Sequence, residues 1–238
     1  MRKPMRFGLI LLSVAAVSFF LFIEPAHSQD SARVVFAKGA PKIMKAGTLE
    51  WSDCKPETAI DNGDRIRTLA DEAVEIFFLQ NNRNIIRVDE SSDIVIKNGS
   101  PPYFIELSSG SLLSLVRKLP ADSKFEVRTP VATCGVRGTG WRSRTDGTRA
   151  TFETFEKTVY IKGIDESGKE MEGELLVESG WKVDIEKFER PSRIEKLLNN
   201  DFERWGEWKK EKATMWHSDT HLAEGEAEKR YPEGTVKT

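Results

Sequence analysis

Short apolar runs separated by turn residues dominate the chain from residue 34 to about residue 185. The clearest runs are AVEIFFL at 73–79 and DIVIK at 93–97, and each is followed by residues typical of turns. Asp146-Gly147 lies between two further runs and is a strong hairpin signal. Because short strands punctuated about every ten residues are typical of β-sandwiches and barrels, the sequence predicts an all-β domain. A sandwich or roll and a solenoid-like stack of short strands are both compatible with this pattern.

A further hairpin is predicted near the middle of the chain. Two apolar runs, 103–107 and 111–116, flank Ser108-Ser109-Gly110. Small polar residues and glycine between two such runs favour a hairpin loop.

The N-terminal 28 residues have the layout of a secretory signal peptide. Arg2, Lys3 and Arg6 precede an apolar run at 7–23, and a cut after Ser28 would leave small residues at the cleavage site. This pattern predicts an exported protein, located in the periplasm or outside the cell. The apolar run is also close to the length of about 20 residues that spans a bilayer. An uncleaved signal anchor is therefore the alternative.

The overall charge argues against a general nucleic-acid binder. The formal net charge is −2, and the first 28 residues contribute three basic residues and one acidic residue, a net of +2. The mature chain is therefore near −2 − 2 = −4. We expect an envelope protein or glycan as partner, no nucleic acid, and membrane contact only through an uncleaved N-terminus.

The sequence contains no recognisable catalytic or cofactor motif. Nucleophile elbow, phosphate-binding loop and dinucleotide fingerprints are absent from the printed chain. His217 and His221 have a spacing that suits metal ligands on a helix, but no convincing third ligand accompanies them. We therefore expect no enzyme activity, no cofactor and no metal.

Cys54 and Cys134 are the two cysteines of the chain. In an oxidising compartment such a pair is a candidate disulfide. Two separate buried thiols are the alternative, because sequence does not show whether the two side chains approach one another.

The character of the sequence changes at Pro191. A helix is predicted over 191–213, opened by a capping box at Ser192 and Glu195. The polar tail at 214–238 is expected to be disordered. The helix interface is predicted to consist of four residues at helical spacing: Leu198, Phe202, Trp205 and Trp208. This apolar stripe would cover the β domain as a lid or bind a partner.

Two motifs carry a resemblance to a known family. The first is the N-G-D-R-I-R-T segment at 62–68, and the second is the T-P-V-A-T-C-G-V-R-G-T segment at 129–139. Together they resemble the FecR domain family, named for the periplasmic part of the ferric dicitrate transport regulator. The resemblance extends from about Gly47 to Ile185 and implies a FecR-like β domain over 29–190. The motif residues are Gly63, Asp64, Thr129, Pro130, Gly135, Arg137, Gly138 and Thr139.

The resemblance does not extend to the sigma-factor-binding part of membrane-bound family members. Those members place a cytoplasmic domain before a membrane helix, whereas six residues precede the apolar run here. We therefore expect no regulation of a sigma factor by this chain alone.

The motif residues also have a direct physical interpretation. Gly63-Asp64 suits a turn in which the carboxylate accepts backbone N–H groups. Gly135 and Gly138 permit positive φ angles or close backbone approach. Arg137 either ties this corner together through its five donors or contacts a ligand.

A second group of arginines could form a binding face. Strand alternation places Arg142 and Arg144 on one face, and Arg149 across the hairpin turn joins them. This face could bind an anionic envelope polymer or an acidic partner, or it could be neutralised by nearby carboxylates. The sequence as a whole predicts a non-enzymatic, exported FecR-domain binding module. A membrane-anchored sensor that signals with a separate regulator is the alternative.

Overall fold

The computed structural model describes residues 32–78, 84–97, 103–117, 119, 124–136 and 138–212. Several of the sequence predictions lie outside these residues. They are the signal segment 1–28, the residue Arg137, the pair His217 and His221, and the tail 214–238.

The described chain contains 17 strands and one helix, α1, over residues 199–212. The strands are β1 (Ala32–Lys38), β2 (Lys42–Met44), β3 (Trp51–Asp53), β4 (Ala59–Ile60), β5 (Arg65–Arg67), β6 (Ala73–Phe78), β7 (Asn84–Val88), β8 (Asp93–Lys97), β9 (Tyr103–Leu115), β10 (Phe125–Arg128), β11 (Ala132–Val136), β12 (Gly140–Thr145), β13 (Arg149–Thr154), β14 (Thr158–Gly163), β15 (Leu175–Glu178), β16 (Trp181–Glu186) and β17 (Ile194–Lys196).

The strands pair into two sheets that share β9. The first sheet has the order β4-β1-β6-β7-β9-β12-β13-β16-β17. The second sheet has the order β3-β2-β5-β8-β9-β10-β11-β14-β15. Every pairing is antiparallel except that of β9 with β10. The fold is therefore all-β with a single described helix near its C-terminal end, as the sequence predicts.

The hairpin predicted at Ser108-Ser109-Gly110 is wrong, because these residues continue one long strand. The first half of β9 pairs with β8 and β10, and its second half pairs with β7 and β12. Gly110 has a φ of +95°, and a Cβ there would lie 2.5 Å from the Cα of Ser92. Glycine permits this conformation and close approach, so the strand passes from one sheet to the other.

Both architectures considered from the sequence are present in part. Successive hairpins alternate between the sheets: β10–β11 in the second, β12–β13 in the first, β14–β15 in the second and β16–β17 in the first. Each hairpin adds to the end of its sheet. The molecule is a two-layer sandwich that grows along the chain in the manner of a solenoid.

The main core lies between the two sheets. Alternate residues of each strand point inward, so that Ile94 and Ile96 of β8 are fully buried while Val95 is not. Trp141 of the first sheet meets Phe125 of the second, with ring centroids 6.1 Å apart in an edge arrangement. These contacts hold the two layers face to face.

Helix α1 packs on the outer face of the first sheet. Trp205 and Trp208 are 4% and 7% exposed, and they form a second apolar cluster with Leu113 and Phe155. Phe155 stacks on Trp205 with ring centroids 5.0 Å apart. Of the two roles considered for the stripe, its described residues act as a lid on the β domain.

The start of the predicted helix is wrong. Residues Ile194–Lys196 pair with β16 instead of opening the helix, and the Glu195 carboxylate lies 3.4 Å from Lys182 Nζ. The edge of β16 pairs with residues 194–196, and α1 begins only at residue 199. Leu198 consequently precedes α1, and at 72% exposure it does not belong to the helix interface.

No helix among the described residues is long and apolar enough to cross a membrane.

Candidate functional site

The first motif builds a rigid corner around Asp64. This carboxylate is fully buried and accepts from the N–H of Ala46 and Asp61, both at 2.9 Å, and from Lys45 Nζ at 2.6 Å. Gly63 has a φ of +93° and donates its N–H to Ile96 O at 2.7 Å. The predicted turn that opens a strand, with a carboxylate accepting backbone donors, is therefore present.

The second motif forms a comparable corner between β10 and β11. The Thr129 hydroxyl donates to Ala132 O at 2.9 Å and accepts from the N–H of Val131 and Ala132. Pro130 lies in this turn, where it needs no N–H of its own. Thr139 donates its hydroxyl to Glu156 O. These residues therefore fix the backbone.

Three glycines of the second motif region have different roles. Gly138 has a φ of +135°, a left-handed conformation suited to glycine. Gly135 is needed for space, since a Cβ there would lie 2.1 Å from the Tyr160 ring. Gly140, which sequence reasoning missed, lies beneath the helix, and its Cβ would lie 2.1 Å from the Trp205 ring. The glycine against which α1 packs therefore directly follows the second motif.

The disulfide considered for Cys54 and Cys134 is not formed, and both are buried free thiols. Cys54 follows β3, whereas Cys134 lies in β11, and five strands separate β3 from β11 in the second sheet. Neighbouring strands are about 4.8 Å apart, so the separation far exceeds the reach of a disulfide. Burial raises the pKa of Cys54 to about 12 and also raises that of Cys134. Neither thiol is activated as a nucleophile.

The covered outer face of the first sheet carries buried charges beneath α1. Glu75 is fully buried and accepts from Trp208 Nε1 at 2.9 Å. Lys212, 2% exposed in its side chain, places Nζ 2.6 Å from the other oxygen of Glu75. Arg87 Nη1 lies 3.1 Å from the same carboxylate. Glu75 therefore anchors the helix to the sheet.

The predicted arginine face exists, and carboxylates neutralise part of it. Arg142 and Arg144 both donate to Glu153, which is 3% exposed in its side chain. Arg149 lies on the same face but pairs separately with Glu186. The structure therefore brings Arg142 and Arg144 together at one carboxylate, while Arg149 belongs to a different pair.

A cleft of about 650 Å³ separates part of α1 from the first sheet. Its floor includes Arg87, Arg142 and Arg144, and its helical wall includes Glu207 and Trp208. This volume lies within the range of about 300–1,000 Å³ usual for ligand pockets. Arg142 and Arg144, two of the arginines predicted as binding residues, therefore lie in a concave site, whereas Arg149 does not line it.

Cations lie over aromatic rings on the outer face of the second sheet. The Arg67 guanidinium lies 4.6 Å from the Trp51 ring centroid, and Arg128 lies 3.9 Å from that of Phe104. Lys124 Nζ lies 5.0 Å from the centroid of Tyr160. Among the described residues, no helix packs on this face. The sequence analysis did not identify these residues, because their pairing depends on strands that are far apart in the chain.

Glu126 connects two of these pairs. Tyr160 donates its hydroxyl to Glu126 Oε1 at 2.8 Å, and Arg128 donates to Glu126 Oε2 at 2.7 Å. Burial, together with this hydrogen bond to a carboxylate, raises the pKa of Tyr160. The ring and the guanidinium are consequently held in fixed positions by Glu126.

Within the described part of the chain, no group of three or more histidine, cysteine or acidic side chains could hold a metal ion.

Comparison with known proteins supports the motif-based resemblance. The family described as FecR protein matches residues 64–160. This stretch contains the corner of Asp64, the shared strand β9 and the turn at Thr129. These residues form a FecR domain. Beyond the matched residues the two sheets continue into strands β15 to β17, and α1 covers one outer face.

Two solved structures are similar to the chain, and both are described as "a putative anti-sigma factor from Parabacteroides distasonis". The first is 11% identical, with a TM-score of 0.47 over 59% of this chain. The second is 15% identical, with a TM-score of 0.34 over 59% of this chain. The chain covers 63% and 58% of the lengths of these two proteins. No curated protein matches the chain.

Proposed function

We propose that this protein is an exported, non-enzymatic recognition module that binds an envelope protein through the outer face of its second sheet. The observation that carries the proposal is the set of cation-paired aromatic rings at Trp51, Phe104 and Tyr160. They lie on a sheet face that no described helix covers, whereas α1 occupies the opposite face.

The chemistry of this face suits a protein interface. Arginine and aromatic residues are enriched at the centres of interfaces and contribute most of the binding free energy. Here the network around Glu126 holds Arg128 and Tyr160 in place, which reduces the entropy lost when a partner binds.

Charge indicates the kind of partner surface. Arg65 and Arg67 both pair with Asp93, so this group of three side chains has a net positive charge. Lys124 adds a cation near Tyr160, whereas the charge of Arg128 is paired with Glu126. We therefore expect an acidic partner surface that attracts this face over a distance and aligns it on contact.

Export and family add independent support. The first 28 residues have the layout of a secretory signal, and the FecR family is named for a periplasmic part of a regulator. A FecR domain in the periplasm is consistent with a role in signalling across the envelope.

Site-specific photo-crosslinking in intact cells tests the proposal. A photoreactive residue is placed at Val95, at the centre of the second-sheet face, or at Thr148 or Leu198, which lie away from it. We expect one protein adduct to form from Val95 and not from the other two positions. Arg128→Ala should weaken this adduct, whereas the matched variant Arg149→Ala, on the other sheet, should leave it unchanged. Adducts that form from Leu198 and not from Val95 would contradict the proposal.

The anchored sensor is the alternative, and the apolar run at 7–23 favours it because of its length. Mass spectrometry of the native protein distinguishes the two. A mature chain that starts at Gln29 supports the free module, and an intact N-terminus supports the anchored sensor.

The non-enzymatic part of the proposal is tested by incubating the purified protein with envelope glycans and peptides. Turnover that is lost when a single side chain is replaced would contradict it.

A further inference from the structure

A row of charged side chains crosses the covered face of the first sheet. Strand register places Glu75 beside Arg87, Arg87 beside Leu113, and Leu113 beside Arg142, which pairs with Glu153. Two arginines therefore flank Leu113 at the floor of the cleft, and each is paired with a glutamate on its far side.

The charges at the Glu153 end of this row do not balance. Glu153 is one carboxylate shared by Arg142 and Arg144, so the three side chains together carry a charge of +1. Arg142 is 9% exposed, and among the described residues no acceptor lies within hydrogen-bonding reach of its Nε. A buried donor without a partner is energetically unfavourable. The group therefore has positive charge and donor capacity that Glu153 alone does not satisfy.

Acidic side chains lie at the rim of the same cleft. Glu207 and Glu211 line it from α1, and Asp71 and Glu90 line it from the turns before β6 and after β7. The lining as a whole contains six acidic and five basic side chains. These four exposed carboxylates outnumber the exposed cations of the lining, which are Lys38, Arg144 and Arg204, so the charge of the cleft disfavours a polyanion.

We propose that this cleft binds a short zwitterionic peptide, with its carboxylate at Arg142 and Arg144 and its amino group toward the acidic rim. The guanidinium groups of arginine match a carboxylate in geometry and can donate two parallel hydrogen bonds. Trp208, on the helical wall, contacts the peptide backbone or small side chains. The site is separate from the recognition face on the second sheet and does not depend on it.

The site also gives α1 a second role. The helix supplies one wall of the cleft, and Glu75 anchors the helix through Trp208 and Lys212. A peptide bound in the cleft touches both the sheet and the helix, so it stabilises the docked position of the helix by mass action.

Isothermal titration of the full-length protein in a non-ionic detergent tests the proposal. The probes are tetra-alanine, its C-terminal amide, its N-acetylated form, and polygalacturonate as a polyanion. We expect tetra-alanine to bind, the amide to bind at least about tenfold more weakly, and the acetylated form to be weaker than the free peptide. Polygalacturonate should neither bind nor compete. Saturable polygalacturonate binding that Arg144→Gln removes would overturn the proposal in favour of a polyanion site.

Two variants locate the site. Arg144→Gln should reduce the affinity for tetra-alanine about tenfold or more, because Arg144 lines the cleft. Arg149→Gln is the matched control, since Arg149 is also an exposed, ion-paired arginine of this face but does not line the cleft. Equal affinity for the acid and the amide, no binding of tetra-alanine at tens of millimolar, or equal effects of the two variants would each overturn the proposal.

Discussion

The two outer faces of the sandwich have similar residue types but use them differently. On the first sheet, Glu75 and Lys212 form an ion pair that is almost fully buried under α1. On the second sheet, Lys42 and Asp53 form an ion pair of the same length whose side chains are 46% and 49% exposed. The first pair holds one element of the protein to another, and the second remains in contact with solvent.

This contrast extends to the aromatic residues. Trp205 packs against Phe155 and Gly140, whereas Trp51 is 36% exposed beneath Arg67. A two-layer fold offers two outer faces, and this chain stabilises itself through one and leaves the other available for a partner. The comparison makes specific predictions about stability.

Replacement of the helix tryptophan should have the largest effect. Trp205→Ala removes a buried ring and opens a cavity over Gly140, so we expect a loss of about 3–5 kcal/mol in the free energy of unfolding, measured by urea denaturation. Trp51→Ala on the other face should cost about 1 kcal/mol or less. Similar losses for the two variants would show that the helix does not protect its face in solution.

Replacement of the buried carboxylate of Glu75 is expected to have the second largest effect on stability. Glu75→Gln keeps an acceptor for Trp208 but removes the buried negative charge that faces Lys212 and Arg87, and it leaves the exposed Glu211 as the ion-pair partner of Lys212. We expect a loss of about 3 kcal/mol in the free energy of unfolding. Asp53→Asn, which affects an exposed pair, should leave the free energy of unfolding nearly unchanged. The loss at Glu75 should also be less sensitive to salt, because buried charges are screened less.

Two glycines give a closer comparison, since a Cβ at either would lie 2.1 Å from an aromatic ring atom. Gly140→Ala must displace Trp205 from a packed interface and should cost about 1–3 kcal/mol. Gly135→Ala need only shift the end of Tyr160, losing the hydrogen bond to Glu126, which is worth about 1 kcal/mol. Thermal unfolding of both variants measures the difference. A larger loss of thermal stability for Gly135→Ala would contradict the conclusion that α1 packs against Gly140.

The smallest effect concerns acid stability on the uncovered face. Partial burial alone would raise the pKa of Asp93, but hydrogen bonds from Arg65 and Arg67 outweigh it and hold the pKa below its usual value of about 3.9. Asp93 therefore stabilises the fold fully above that value, and this contribution is lost as the pH falls through its native pKa.

The variant Asp93→Asn tests this sign. Its melting temperature should fall less than that of the unmodified protein between about pH 5 and pH 2. An equal fall in the two proteins would show that Asp93 makes no contribution to acid sensitivity.

Much of the strand content was predictable because inward and outward residues alternate. The run at 93–97 coincides with β8, and the run at 73–79 contains β6. The prediction of a hairpin at 108–110 was wrong because Ser108-Ser109-Gly110 is compatible with both a turn and a bent strand. Only the neighbouring strands, which supply hydrogen-bond partners on both sides of β9, keep this segment extended.

The candidate site was predictable in part for a related reason. Strand alternation correctly placed Arg142 and Arg144 on one face, but it did not reveal that Glu153 binds both. The helical spacing of Trp205 and Trp208 correctly predicted their burial. Leu198 fits the same spacing but precedes the helix, because the edge of β16 pairs with the chain up to Lys196.

The sequence alone determined the all-β class, the two motif corners and the apolar stripe of the helix, because each depends on residues close together in the chain. Tertiary structure decided the passage of β9 between sheets, the separation of Cys54 from Cys134, and the choice of face that α1 covers. These features depend on contacts between strands that are far apart in sequence. Local propensity has no information about such contacts, so only the folded chain establishes them.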